Sequence, residues 1–204
     1  MVGGRQARRN RGGLILFCLA IAAALVSTGA RAQNLTYGEL KLGVLKHDVA
    51  FFGGIEKGVD INPEVIFPSP VPDAWLATVP WYLGWMIQPK PTLGAIFNTG
   101  GFTNQYYFGA TWTWQLAGNL LMPGDGITFG FFFGPGFNDG QINEADPTRK
   151  ALGSHVLFRE ALELGYRINP VWTISAYIDH ISNGGLAKYN QSINNVGGRI
   201  GMRF

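Results

Sequence analysis

Cysteine is nearly absent. The single one in 204 residues, Cys18, lies near the N-terminus, so the chain beyond residue 32 can hold no disulfide, thiolate nucleophile or cysteine-bound metal. Histidine is also scarce: His47, His155 and His180 are too far apart for metal-ligand spacing, and no metal is expected. No glycine-rich phosphate loop precedes a helix, which argues against nucleotide use and leaves no cofactor to expect. Beyond residue 32, no apolar run reaches the ~20 residues of a membrane-crossing helix. Internal repeats and low-complexity tracts are missing as well.

What the N-terminus does hold is Arg5, Arg8, Arg9 and Arg11, the apolar run 14 to 26, and then Ala30-Arg31-Ala32. This is the basic, apolar and small-residue order of a secretory signal, and the run is short for a membrane anchor. Residues 1–32 are therefore expected to be an export signal, with 33–204 as one mature domain. The signal carries five of the 16 Lys and Arg and none of the 13 Asp and Glu, leaving 11 cations against 13 anions, a net of −2. The basic character belongs to the signal. The remaining cations form no patch, so a nucleic-acid partner is excluded.

In lipid only helices and closed barrels satisfy every backbone polar group. With helices excluded by run length, the expectation is an all-β, eight-stranded antiparallel transmembrane barrel, read as ~10-residue stretches of alternating hydrophobicity. In 172 to 182 the even positions Trp172, Ile174, Ala176 and Ile178 are apolar until His180 and Ser182, whereas the odd ones include Thr173, Ser175, Tyr177 and Asp179. In 194 to 204 the even face carries Val196, Ile200, Met202 and Phe204, and the odd face Arg199 and Arg203, which then point into the lumen. A soluble barrel would reverse this and turn its apolar face inward. Six Trp, seven Tyr and 14 Phe suit aromatic girdles. Strands are expected at 39–48, 58–67, 82–98, 104–115, 127–138, 154–168, 172–182 and 194–204. Pro89 and Pro91 interrupt the third, and the stretch 68–80 is long for a periplasmic turn. With both termini in the periplasm, strand seven ends at the outer-leaflet rim.

At that rim, His180-Ile181-Ser182 sets an imidazole and a hydroxyl on one face, since residues i and i+2 of a strand share a side. Such a pair is the core of nucleophilic acyl transfer, and equally a polar rim where a strand leaves lipid. The following loop brings Asn183, Asn190 and two glycines, which can donate to an oxyanion but are also ordinary loop residues. Glu160 is the one polar residue on the apolar even face of the sixth strand. If Asn169, Pro170 and Val171 form a three-residue turn, Ile168 faces Trp172 and Glu160 faces His180. A bulge that turns Glu160 inward, to pair with Arg159 or Arg167, is the other reading. His47-Asp48 reads as a rim or lumen pair, and His155 as lumenal.

His180-Ile181-Ser182-Asn183 with Leu186, Asn190 and the closing strand 195 to 204 resembles the outer-membrane lipid A 3-O-deacylases, also described as acyloxyacyl hydrolase-like. The stretches 43–49, 98–101 and 157–166 resemble the same family, so the likeness spans nearly the whole mature chain. The terminal Phe204 resembles the signature read by the barrel-assembly machinery, a partner during biogenesis. The resemblance implies a serine esterase of the cell outer membrane that removes the 3-hydroxyacyl chain from the 3-position of lipid A, with lipopolysaccharide as its substrate. It further implies Ser182 as nucleophile, His180 as base, and Asn190, with Asn183, at the oxyanion. Where the family's third group is a glutamate, this chain has Asn194. Asn194 can orient His180 as an asparagine does in Cys-His-Asn proteases, and Glu160 is the candidate to supply or share the acid role. Two rivals remain at this point: a non-catalytic adhesin or structural barrel with a decayed site, and an outer-membrane phospholipase.

Overall fold

The structure, a computed structural model, describes residues 37–50, 54–80 and 84–204. The expected export signal and Cys18 lie outside the described residues. Eight antiparallel strands close into a barrel in sequence order: β1 (Glu39–Lys46), β2 (Val59–Ile66), β3 (Lys90–Asn98), β4 (Gln105–Gly118), β5 (Gly126–Asn138), β6 (Val156–Arg167), β7 (Trp172–Ser182) and β8 (Ile193–Arg203), with β8 pairing back onto β1. The all-β expectation holds, and the described residues include short 3-10 turns at Asp73–Thr78 and Gly84–Ile87.

The alternation in sequence is the alternation in space. Leu42, Val44, Leu93, Phe108, Leu162, Leu164, Ile174 and Ile200 are exposed on the outer wall, whereas the lumen is charged. Lys41 pairs with Glu163 and Arg199 with Glu64, Arg159 meets Asp179 at 3.5 Å, and the Arg159 guanidinium lies 3.6 Å from the Tyr107 ring centroid. Buried ions persist only when paired in this way. The lumenal void beside Lys41, Glu64, Glu163 and Arg199 measures about 20 Å³, the scale of a single water. Polar inside and apolar outside is the arrangement of a membrane barrel, opposite to that of a soluble one. The aromatics concentrate along β4 and β5, where Trp112 stacks on Phe131 and Trp114 packs on Phe129.

Strand ends differ from expectation where side chains capture backbone groups. The first strand stops at Lys46 because Asp48 turns into the left-handed region (φ 44°) and its carboxylate accepts the Ile55 and Glu56 amides. The third strand begins only at Lys90, as the residues ahead of it form the 3-10 turn and Pro89, which cannot extend a ladder. Beyond Gln115 the fourth strand continues through a bulge to Gly118. His155, expected in the lumen, is exposed, because the alternation of β6 starts one residue later; its ring meets the Asn138 carbonyl at 3.1 Å.

The turn after β6 has the anticipated length, closing with the Ile168 amide on the Trp172 carbonyl at 2.9 Å. The β6–β7 register consequently sets Glu160 against His180 and Phe158 against Ser182, and the β7–β8 register sets His180 against Asn194. All of these belong to the outward face, at the end of the barrel opposite Glu39 of β1 and Arg203 of β8.

Candidate active site

Parity on three adjacent strands assembles the site. His180 and Ser182 are successive outward residues of β7, and the imidazole Nε2 lies 3.0 Å from Ser182 Oγ. On the other side of the ring, Nδ1 is 2.7 Å from Asn194 Oδ1. A carboxamide oxygen can only accept, so this contact places the ring proton on Nδ1 and leaves the Nε2 lone pair facing the hydroxyl, the tautomer a general base needs. Asn194 is 4% exposed despite its outward position. Its amide nitrogen reaches Ser192 Oγ at 3.4 Å, and its backbone carbonyl accepts the Val49 amide at 2.8 Å. Neither Ser192 nor Val49 stands out in the sequence.

Glu160 faces outward, so the inward bulge does not occur, and its Oε1 lies 3.9 Å from His180 Nε2. This is the nitrogen that serves Ser182. The Nδ1 position of a triad acid is taken by Asn194, and Glu160 approaches the ring from the opposite, Nε2 side.

The loop after β7 sorts the two asparagines. Both Asn183 side-chain N–H groups are used, donating to the carbonyls of Leu152 at 2.8 Å and Tyr189 at 2.5 Å, while its Oδ1 accepts the Gly185 amide. Asn183 therefore braces the loop and offers no free side-chain donor. Asn190 is exposed, and its Oδ1 accepts the Asn183 backbone amide at 3.0 Å, which leaves its NH2 group without a partner among the described residues. The Gly184 amide, in a left-handed residue (φ 64°), likewise has none. Gly153 lets the loop 139 to 155 press against this one: a Cβ there would meet the Tyr189 carbonyl oxygen at 1.9 Å and Asn183 Nδ2 at 2.6 Å. A glycine at φ 76° is the only trace this contact leaves in the sequence.

Beside Ser182 runs an apolar groove of about 470 Å³ lined by Phe133, Pro135, Val156, Phe158, Leu186 and Ala187. It lies on the outer wall, open toward lipid. Within the end of the barrel behind the site, His47 is buried between two carboxylates, Nδ1 to Asp60 at 2.8 Å and Nε2 to Glu56 at 3.0 Å. The expected partner Asp48 instead caps the loop. Burial works to lower the His47 pKa, but the hydrogen bonds that the ring donates to Asp60 and Glu56 outweigh it and raise the value to about 9. Glu56 itself is pushed down, its burial outweighed by His47, Thr103 and Lys150.

The family model described as PagL, lipid A 3-O-deacylase, matches residues 74–203. No curated protein sequence matches the chain. Among solved structures, the outer membrane enzyme PagL superposes with a TM-score of 0.59 at 14% identity, covering 80% of this chain and 97% of that one. The N-terminal β-barrel domain of Pseudomonas aeruginosa OprF gives 0.49 at 11% identity, covering 84% and 100% of the two chains. Neisserial surface protein A gives 0.46 at 10% identity, covering 82% and 96%.

Proposed function

The chain belongs to the lipid A 3-O-deacylase family, and on that premise we propose that it is a serine esterase cleaving the ester at the 3-position of lipid A. Membership makes it a lipid A deacylase-type enzyme of the outer membrane. The serine mechanism rests above all on one observation: His180 is held at Nδ1 by Asn194 while Nε2 stands 3.0 Å from Ser182 Oγ.

In this reading Ser182 Oγ attacks the ester carbonyl and gives its proton to His180 Nε2. The tetrahedral oxyanion takes hydrogen bonds from the free Asn190 amide and the Gly184 N–H. The bond from carbonyl carbon to sugar oxygen then breaks, and the proton on Nε2 passes to that oxygen, leaving a free 3-hydroxyl and an acyl-enzyme. Water attacks the acyl carbon with His180 again as base, Ser182 recovers its proton, and the 3-hydroxy fatty acid leaves. Asn194 supplies orientation rather than charge. The groove along Phe158 and Leu186 suits the acyl chain, which would then stay within the hydrocarbon layer during reaction.

Residues 1–32 act, on the same proposal, as the export signal of a mature barrel 33–204, and the terminal Phe204 serves insertion by the assembly machinery. The test is mass spectrometry of lipid A from cells with and without the protein, alongside Ser182→Ala. Loss of one hydroxyacyl mass, absent in the variant, supports the reading. Fatty acid released from glycerophospholipid with intact lipid A would identify a phospholipase, and no change in either lipid would mark an inactive barrel.

A further inference from the structure

An imidazole that accepts the nucleophile's proton becomes a cation, and a neutral amide at Nδ1 orients the ring without opposing that charge. Among the described residues, the carboxylate in ion-pair range of His180 is Glu160, at 3.9 Å from Nε2, and it forms no other ion pair there. A carboxylate flanked by Phe158 and Leu162 on a lipid-facing wall is costly, and such groups are usually paired or functional. Resting on the serine-esterase reading above, we propose that Glu160 is a positioning residue that supplies, from the neighbouring strand, the negative charge Asn194 lacks, stabilising the His180 imidazolium from its Nε2 side.

Distance makes the arrangement workable. At 3.9 Å the carboxylate is beyond hydrogen-bond range, so it leaves Nε2 to Ser182, 3.0 Å away, yet it still attracts the cation. The proton gained from Ser182 is thus not held on Glu160 and remains available to the departing sugar oxygen. On β8 the outward neighbours Asn194 and Val196 are uncharged. Of the charged groups nearby, Asp179 and Arg159 pair on the inner face, and Lys188 lies 5.0 Å over the ring of Tyr189.

The experiment uses the full-length protein in mixed micelles with lipid A, following release of 3-hydroxy fatty acid across about pH 5 to 9. Glu160→Gln is expected to lower kcat roughly tenfold with little change in KM, because the cationic ring is then less stabilised in the transition state. Adding Asn194→Glu to Glu160→Gln should return kcat by placing the charge at Nδ1. Folding is checked by heat-dependent gel migration, and Glu160→Ser removes the charge by another route if the Gln form does not fold. Wild-type kcat in Glu160→Gln, or a raised KM in place of a lowered kcat, overturns the proposal, as does failure of Asn194→Glu to restore activity. If Ser182→Ala is inactive while Glu160→Gln is unchanged, only the Glu160 role falls; if Ser182→Ala stays active, both fall.

Discussion

Asn194→Ala separates orientation from proximity in the proposed site. Asn194 Oδ1 accepts from His180 Nδ1 at 2.7 Å in a nearly fully buried position. A neutral hydrogen bond of this kind contributes about 0.5–1.5 kcal/mol, and tenfold in an equilibrium is about 1.4 kcal/mol. Losing it lets the ring take the other tautomer, with the proton on Nε2 and no lone pair for Ser182, which removes up to about tenfold of competent enzyme. The ring also loses its tether, and misplacing a base by ~1 Å can cost up to about a hundredfold. The expected fall in kcat is therefore ten- to a hundredfold. KM should change little, because Asn194 does not line the groove. Asn194→Asp keeps the oxygen in place and adds charge, and a charge-assisted hydrogen bond is roughly twice as strong, so this variant should meet or exceed the wild-type kcat. Purified variants assayed on lipid A micelles decide it. Wild-type kcat in Asn194→Ala, or equal loss in the Ala and Asp variants, would refute the reasoning.

Three further outcomes follow from the same geometry. His47, raised to about 9 by Asp60 and Glu56, contributes stability in full below about pH 6.5 that is lost as pH rises through 9, on the order of 3 kcal/mol; the thermal midpoint should fall over that window, and His47→Gln should flatten the fall. Gly153→Ala forces a Cβ into the Tyr189 carbonyl and a left-handed backbone, so kcat should drop at least about tenfold through the displaced Asn183 and Asn190 while the barrel's melting barely moves; wild-type turnover would count against the loop contact. Phe158→Ala opens the groove opposite Ser182 and removes the ring that would pack against an acyl chain; competition among lipid A species of different chain length should show a relaxed preference, and an unaltered product distribution would reject the groove.

The sequence makes legible whatever depends on a period of two. Trp172 to Ser182 alternate because one face meets lipid and the other the lumen, and a slip of one residue would send His180 inside. A three-residue turn at Asn169 then carries the count to Glu160. What parity cannot convey is the direction of a side chain about its own bonds: the register sets Glu160 against His180, but only the torsions decide that it approaches Nε2 and not Nδ1. Contacts across long separations were equally hidden. His47 finds its carboxylates nine and 13 residues away, at Glu56 and Asp60, where the adjacent Asp48 was the obvious partner. The site loop is propped by Gly153, about thirty residues before it, through the Leu152 carbonyl and Asn183.

These hidden contacts explain how a site on a lipid-facing wall can be rigid without a core of its own. Each outward residue of the site has inward neighbours one position away on the same strand, and those neighbours belong to the lumenal network. Between His180 and Ile178 sits Asp179, bonded to Asn195 Nδ2 at 3.1 Å; Asn195 Oδ1 in turn accepts the Asp48 amide, and the next amide, of Val49, closes on the carbonyl of Asn194. The turn 47 to 49 thus fastens β7 and β8 together directly behind the imidazole, and the charged pair at His47 fastens the turn. A hydrocarbon environment gives the outer face no hydrophobic driving force for packing, so precision there has to come from polar contacts inside the barrel. That places the buried His47 cluster among the groups that hold His180 in register, although it never approaches the substrate, and it accounts for a charged interior in a barrel whose outer wall faces lipid.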